Sequence, residues 1–189
     1  MKMLSCARKA AIVVCVTTML TMADGSVASN DGFSAYVDSG GSIQLPPDFR
    51  LSMIHLGSWF VPDGEASGFH DVYTEQQTVE AYRSTGKFPD GATLVKELRA
   101  HKAGDYTTGK GVSYATDGLK QWFVMIKDTK GRFAGNPLWG DGWGWALYRP
   151  DDPAKNIAVD YKTDCLGCHV PAKATDWVYT QAYPTLTAQ

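Results

Sequence analysis

Cys165, Cys168 and His169 fall together in the stretch DCLGCHVPAK. Two thiols and an imidazole at this spacing support three chemistries. The pair can be half of a zinc site, but a closed site needs four ligands. His55, His70 and His101 stand at no zinc-finger spacing from it. The pair can be a redox disulfide, but that motif belongs in a βαβ setting near the start of a helix. The segments before it do not alternate strand with helix. The third chemistry is attachment of a c-type haem. The thiols add across the two haem vinyl groups, and the adjacent histidine binds iron from the proximal side. That reading fits best. The other cysteines, Cys6 and Cys15, lie in an N-terminal segment read below as a leader.

A haem held at His169 raises the question of its other axial position. Electron-transfer cytochromes fill it with Met or His. Met53, Met125, His55, His70 and His101 all precede the motif, and neither a Met nor a His follows His169. Met125 lies in an apolar run, QWFVMIKD, and reads as core filler. The spacing therefore favours an open position for a small ligand, as a catalyst or gas binder requires. A simple electron carrier is the weakest of the three functions.

The elements that must position these residues are mixed. MKMLSCARK carries Lys2, Arg8 and Lys9, and AAIVVCVTTML follows without charge. A basic start and a short apolar run mark residues 1–23 as a signal peptide, with cleavage after Ala23 or Ala28. The run is too short for a membrane span. Removing it takes three positive charges from a chain of net charge −2. Nothing basic is left to argue for nucleic acid. Residues 24–44 read as a flexible lead, and 45–189 as one domain. TEQQTVEAYRSTG predicts a helix with Thr74 as N-cap, Gln77 three residues on, and Gly86 as the stop. Pro89-Asp90-Gly91 predicts a turn, and ATLVKEL a strand after it. Leu94, Lys96 and Leu98 then share one face. QWFVMIKD predicts a buried strand, and WGDGWGWALYRP a Gly-rich turn entering another. Asp152-Pro153 predicts a helix start over DPAKNIAV, and TDWVYTQAYPTL a short helix halted before Pro184. The fold class is α+β, β-rich, with an antiparallel sheet and a few short helices.

The stretches YRSTGKFPDGATLVKE, WGDGWGWALYRPDDP, CLGCHVPAKATDWVYTQAYPTL and, more weakly, FHDVYTE resemble the cytochrome P460 family, which shares its fold with the cytochromes c′-β. The likeness runs from about residue 45 onward. It implies a β-rich, usually dimeric domain with one haem c held through Cys165, Cys168 and His169. It also implies a periplasmic place, an electron-acceptor cytochrome as partner, and a lysine nitrogen bonded to a porphyrin meso carbon. The matching lysine is Lys96, directly before Glu97. P460-type members oxidise hydroxylamine to nitrous oxide or nitric oxide. The c′-β relatives lack the lysine bond and bind nitric oxide or carbon monoxide. Both functions stay open at this point. Asp141 and His70 are the candidate distal bases. Phe88, Trp143, Trp145 and Tyr179 are candidates to line the haem pocket.

Overall fold

The computed structural model describes residues 33–187, so the leader expected at 1–23 and the start of the lead lie outside the described residues. Six strands form one antiparallel sheet in the order β1-β2-β3-β4-β6-β5. They are β1 (Ile54–Val61), β2 (Gly68–Thr74), β3 (Thr93–Tyr106), β4 (Gly109–Lys127), β5 (Trp139–Gly140) and β6 (Trp143–Tyr148). The expected β-rich α+β class is the one observed. The strands predicted over ATLVKEL and QWFVMIKD are the central pair β3 and β4. Both run further than their apolar parts. Past Arg99 and Trp122 they pair only with each other, forming a two-stranded arm.

The sheet separates two apolar layers. One face packs Val95, Val124, Ile126, Ala146 and Tyr148 against Phe33, Val37, Ile43 and Phe49. The segment read as a flexible lead is therefore packed from Phe33 onward. Val37 bridges to Ile43, and the Tyr148 hydroxyl donates to the Ile43 carbonyl. The other face carries Val72, Leu94, Met125 and Trp145. It is covered by the C-terminal segment with Cys165, Trp177, Val178 and Tyr183.

Local chemistry sets the connections. Helix α2 spans Gln76–Thr85, following the four-residue helix α1 (Phe49–Ser52), and stops at Gly86 in the left-handed region. Its N-cap is Glu75, not Thr74. The Thr74 hydroxyl is taken by the sheet, donating to the Thr93 carbonyl. Asp141 (φ 53) and Gly142 (φ 82) make the two-residue turn between β5 and β6. Such turns need positive φ at both central positions, which Asp-Gly supplies. The helix expected over DPAKNIAV does not form. Ile157 N–H instead donates to the Leu147 carbonyl, and the Asn156 side chain accepts from Leu147 N–H. The segment is drawn along β6 rather than coiled. TDWVYTQAYPTL likewise forms two 3₁₀ turns, Thr180–Ala182 and Pro184–Leu186, rather than one helix. Asp176 and Trp177 at φ 58 and 65 break the path before them.

Candidate functional site

Between the sheet and the C-terminal segment lies a cavity of about 510 Å³. Its sheet wall is a grid of cross-strand rows. Thr74, Leu94, Met125 and Trp145 are successive partners across β2, β3, β4 and β6. Val72, Lys96, Phe123 and Leu147 form the next row. Trp59, His70, Leu98 and Gln121 form the third, starting from β1. Side chains alternate along each strand, so one register places all three rows on one face. The facing wall holds Asp164, Cys165, Cys168, His169, Val178, Tyr179 and Tyr183.

The facing wall is shaped by two short helices, α3 (Tyr161–Asp164) and α4 (Leu166–His169), broken at Cys165. A spacing of three residues on a helical path puts Cys165 and Cys168 on the same side. Cys165 is buried, Cys168 is exposed, and both are free thiols. Burial pushes the Cys165 thiol up to about 12. It is thus a neutral thiol at neutral pH, and a thioether there would bury no charge. His169 Nδ1 lies 2.7 Å from the Trp177 carbonyl oxygen. A carbonyl only accepts, so Nδ1 carries the proton and Nε2 is left with a free lone pair. Burial lowers the imidazole pKa to about 4, against the pull of that hydrogen bond. The ring is neutral and oriented, as a metal-ligating histidine requires. Trp145 meets it edge-on at 5.0 Å between ring centres. Tyr179 fixes the neighbouring backbone by donating to the Cys168 carbonyl.

Lys96 projects from β3 into the cavity, its Nζ 3.9 Å from the centre of the Phe123 ring. Among the described residues no carboxylate pairs with it and no hydrogen bond reaches it. Burial lowers its pKa to about 8. The adjacent residue points the other way. Glu97 is 1% exposed, and its carboxylate accepts from Arg50, Arg99 and the Trp122 indole. Lys96 is thus a half-buried amine on the cavity wall that no acid among the described residues neutralises, beside a buried acid held by three donors.

His70 also lines the cavity. Its Nε2–H donates to the Ala66 carbonyl at 2.7 Å, leaving Nδ1 as the basic nitrogen. Burial lowers its pKa, and the charges of Lys96 and Lys120 add to that. Trp145 and Tyr179 line the cavity as expected. Asp141 does not. It occupies the β5–β6 turn and accepts a hydrogen bond from Tyr161. Phe88 and Trp143 do not line it either. They pack edge-to-face at 5.5 Å in the core, and Trp143 donates to the Asp176 carbonyl. Trp143 shares a face with Trp145 but sits one step past the end of the cavity. Gln121, Phe123 and Met125 line the cavity and were not expected there as site residues. Their parity with Lys96 across β3–β4 is the signal that finds them.

A haem fits this chemistry. The cavity is mainly apolar and of ligand size, and two thiols, an oriented imidazole and an unneutralised amine converge on it. Among the described residues no three or more His, Cys, Asp or Glu side chains are grouped to hold a metal ion directly. The family model of cytochrome P460 matches residues 46–180. The chain belongs to the cytochrome P460 family. Membership implies a haem cofactor and a haem redox role. No curated protein matches the chain. Among the described residues no helix is long and apolar enough to cross a membrane.

Proposed function

We propose that this chain is an exported, periplasmic mono-haem c-type cytochrome that oxidises hydroxylamine to nitrous oxide or nitric oxide. Cys165 and Cys168 are the thioether anchors, His169 Nε2 is the proximal iron ligand, and Lys96 is bonded to the porphyrin. One observation carries this reading: Lys96 stands half-buried, unpaired among the described residues, on the wall facing the two thiols and the imidazole. An ammonium left there is costly. A neutral amine bonded to carbon removes that cost.

The haem, when bound, supplies the open iron site and takes up the electrons. The protein does the rest. His169 is held by Trp177 and Trp145. Phe123, Leu94, Leu98 and Val72 exclude water from a small ligand. His70, neutral and with Nδ1 free, accepts a proton from the bound substrate. An acceptor cytochrome removes the electrons. The β3–β4 arm, with Tyr106 and Tyr114 exposed at 51% and 42%, is a surface that a second copy would cover in a homodimer.

A second reading, nitric oxide or carbon monoxide binding as in the cytochromes c′-β, draws on one observation. Among the described residues Asp164 is the only acid lining the cavity, and its carboxylate already accepts from Val159 and Asp160 N–H. The test is the reduced absorption spectrum and intact mass of the parent and Lys96→Ala. The cross-linked haem predicts a strongly red-shifted Soret band and a link that Lys96→Ala abolishes. An ordinary c-type spectrum in the parent sinks the cross-link. No hydroxylamine turnover above free haem, with an electron acceptor present, leaves gas binding ahead.

A further inference from the structure

Lys120 is the extra residue of a bulge in β4. Leu98 pairs with Gln121 and Arg99 with Leu119, so Lys120 has no partner in β3. Bulges re-aim side chains, often beside active sites. Here the side chain reaches the β1–β2 loop at the cavity rim. Its Nζ donates to the Ser67 carbonyl at 2.6 Å, to the Ser67 hydroxyl at 3.2 Å and to the Glu65 carbonyl at 3.4 Å. Ala66, between those two residues, lines the cavity and accepts from His70.

Every group that holds Lys120 is neutral. No carboxylate lies within ion-pair distance among the described residues. The nearby Arg99 differs, since Glu97 neutralises it. The row beneath the rim adds Gln121, whose side-chain amide lines the cavity. This end of the cavity thus carries a positive charge that no carboxylate among the described residues compensates, with the Gln121 amide as an uncharged donor; the His70 N–H is already given to Ala66.

We propose that Lys120, with the Gln121 amide, forms a carboxylate-binding site at the cavity rim. Two sources of that chemistry exist: a propionate of the bound haem, which rests on the haem reading above, or a free small carboxylate. Lys120 serves either one by exchanging its longest loop contact, 3.4 Å to the Glu65 carbonyl, for the carboxylate.

The test uses the purified full protein as parent, Lys120→Gln and Lys120→Arg. Glutamine keeps donors for the Ser67 carbonyl but loses the charge; arginine keeps the charge. The midpoint potential is measured at neutral pH, and acetate binding is measured by ¹³C line broadening at fixed ionic strength. A propionate occupant predicts a lower potential in Lys120→Gln, restored in Lys120→Arg, with no saturable acetate binding. A free occupant predicts saturable acetate binding in the parent, weaker by about tenfold or more in Lys120→Gln, as expected for a hydrogen bond to a charged group. Lys120→Arg then recovers it, and the potential does not move. If Lys120→Gln matches the parent in both measurements, the site is overturned. A protein found by mass to carry no haem defeats the haem reading alone, because the acetate arm still tests the rim.

Discussion

Replacing Lys96 with Met tests the central claim about the cavity in the haem-free chain. The native amine titrates at about 8, against 10.5 unperturbed, because burial disfavours its charge. One pKa unit corresponds to about 1.4 kcal/mol. Because the ammonium is half-buried, the gap sets an upper bound of about 3 kcal/mol on its cost at neutral pH. Below about pH 8 both folded and unfolded chains hold the proton, and the cost is present in full. Between about 8 and 10.5 the unfolded chain binds more protons than the folded one, so stability rises with pH. Methionine of similar length removes the charge and keeps the packing. Lys96→Met is therefore expected to be more stable at pH 7, by at most about 3 kcal/mol. Its advantage should shrink steadily from pH 8 to 10. Urea unfolding of both proteins at a series of pH values measures this. The buried phenols of Tyr148 and Tyr183, both raised by burial, act equally in the two proteins and cancel in the difference. A variant no more stable than the parent, or an advantage independent of pH, refutes the argument that Lys96 is a desolvated amine without a neutralising partner.

Other expectations follow from the same geometry. Glu97→Ala removes the buried acceptor of Arg50 and Arg99, which stay partly solvated, and should cost about 1.5–3 kcal/mol in urea unfolding. Burial opposes ionisation of Glu97, but hydrogen bonds from Arg50, Arg99 and Trp122 outweigh it and hold the carboxyl below its usual range. The parent should therefore lose this contribution as pH falls below about 4.5, and Glu97→Ala should lack that part of the acid transition. His169→Ala should leave the haem attached by intact mass yet change its absorption spectrum. Cys165→Ser should leave only one thioether, read as haem released more readily by acid extraction. His70→Gln should slow hydroxylamine turnover by about a hundredfold, the usual worth of a general base. Asp141→Ala should leave turnover unchanged.

The residues that converge on the cavity from the motif and from β3 were more legible than its walls. CxxCH declares itself by composition and spacing, and Lys96 by standing between Leu94 and Leu98 on a strand. Helix α2 and its Gly86 stop were readable because capping and stopping are local. What failed needed tertiary knowledge. Thr74 has the right chemistry for a cap, but the sheet takes its hydroxyl. Asp152-Pro153 has the right order for a helix start, but β6 recruits the residues after it. Phe88, Trp143 and Trp145 are all aromatic, and periodicity gives a face without saying where along it the cavity ends. The β3–β4 arm was missed because it has no buried face, so its sequence carries no alternation. Gln121 and Met125 became visible as cavity residues only once β4 had a register against Lys96.

The contrast between Lys96 and Glu97 has a consequence for how the sheet assembles. A one-residue slip of β3 exchanges its two faces. Glu97 would then project bare into the apolar cavity, and Lys96 would be driven among Arg50 and Arg99. Either misplacement alone costs several kcal/mol. The neighbouring pair thus acts as a two-sided key against mis-threading. The amine reaches the cavity only in the alignment that also brings the acid to its donors, so any chain folded well enough to satisfy Glu97 has its lysine already in place.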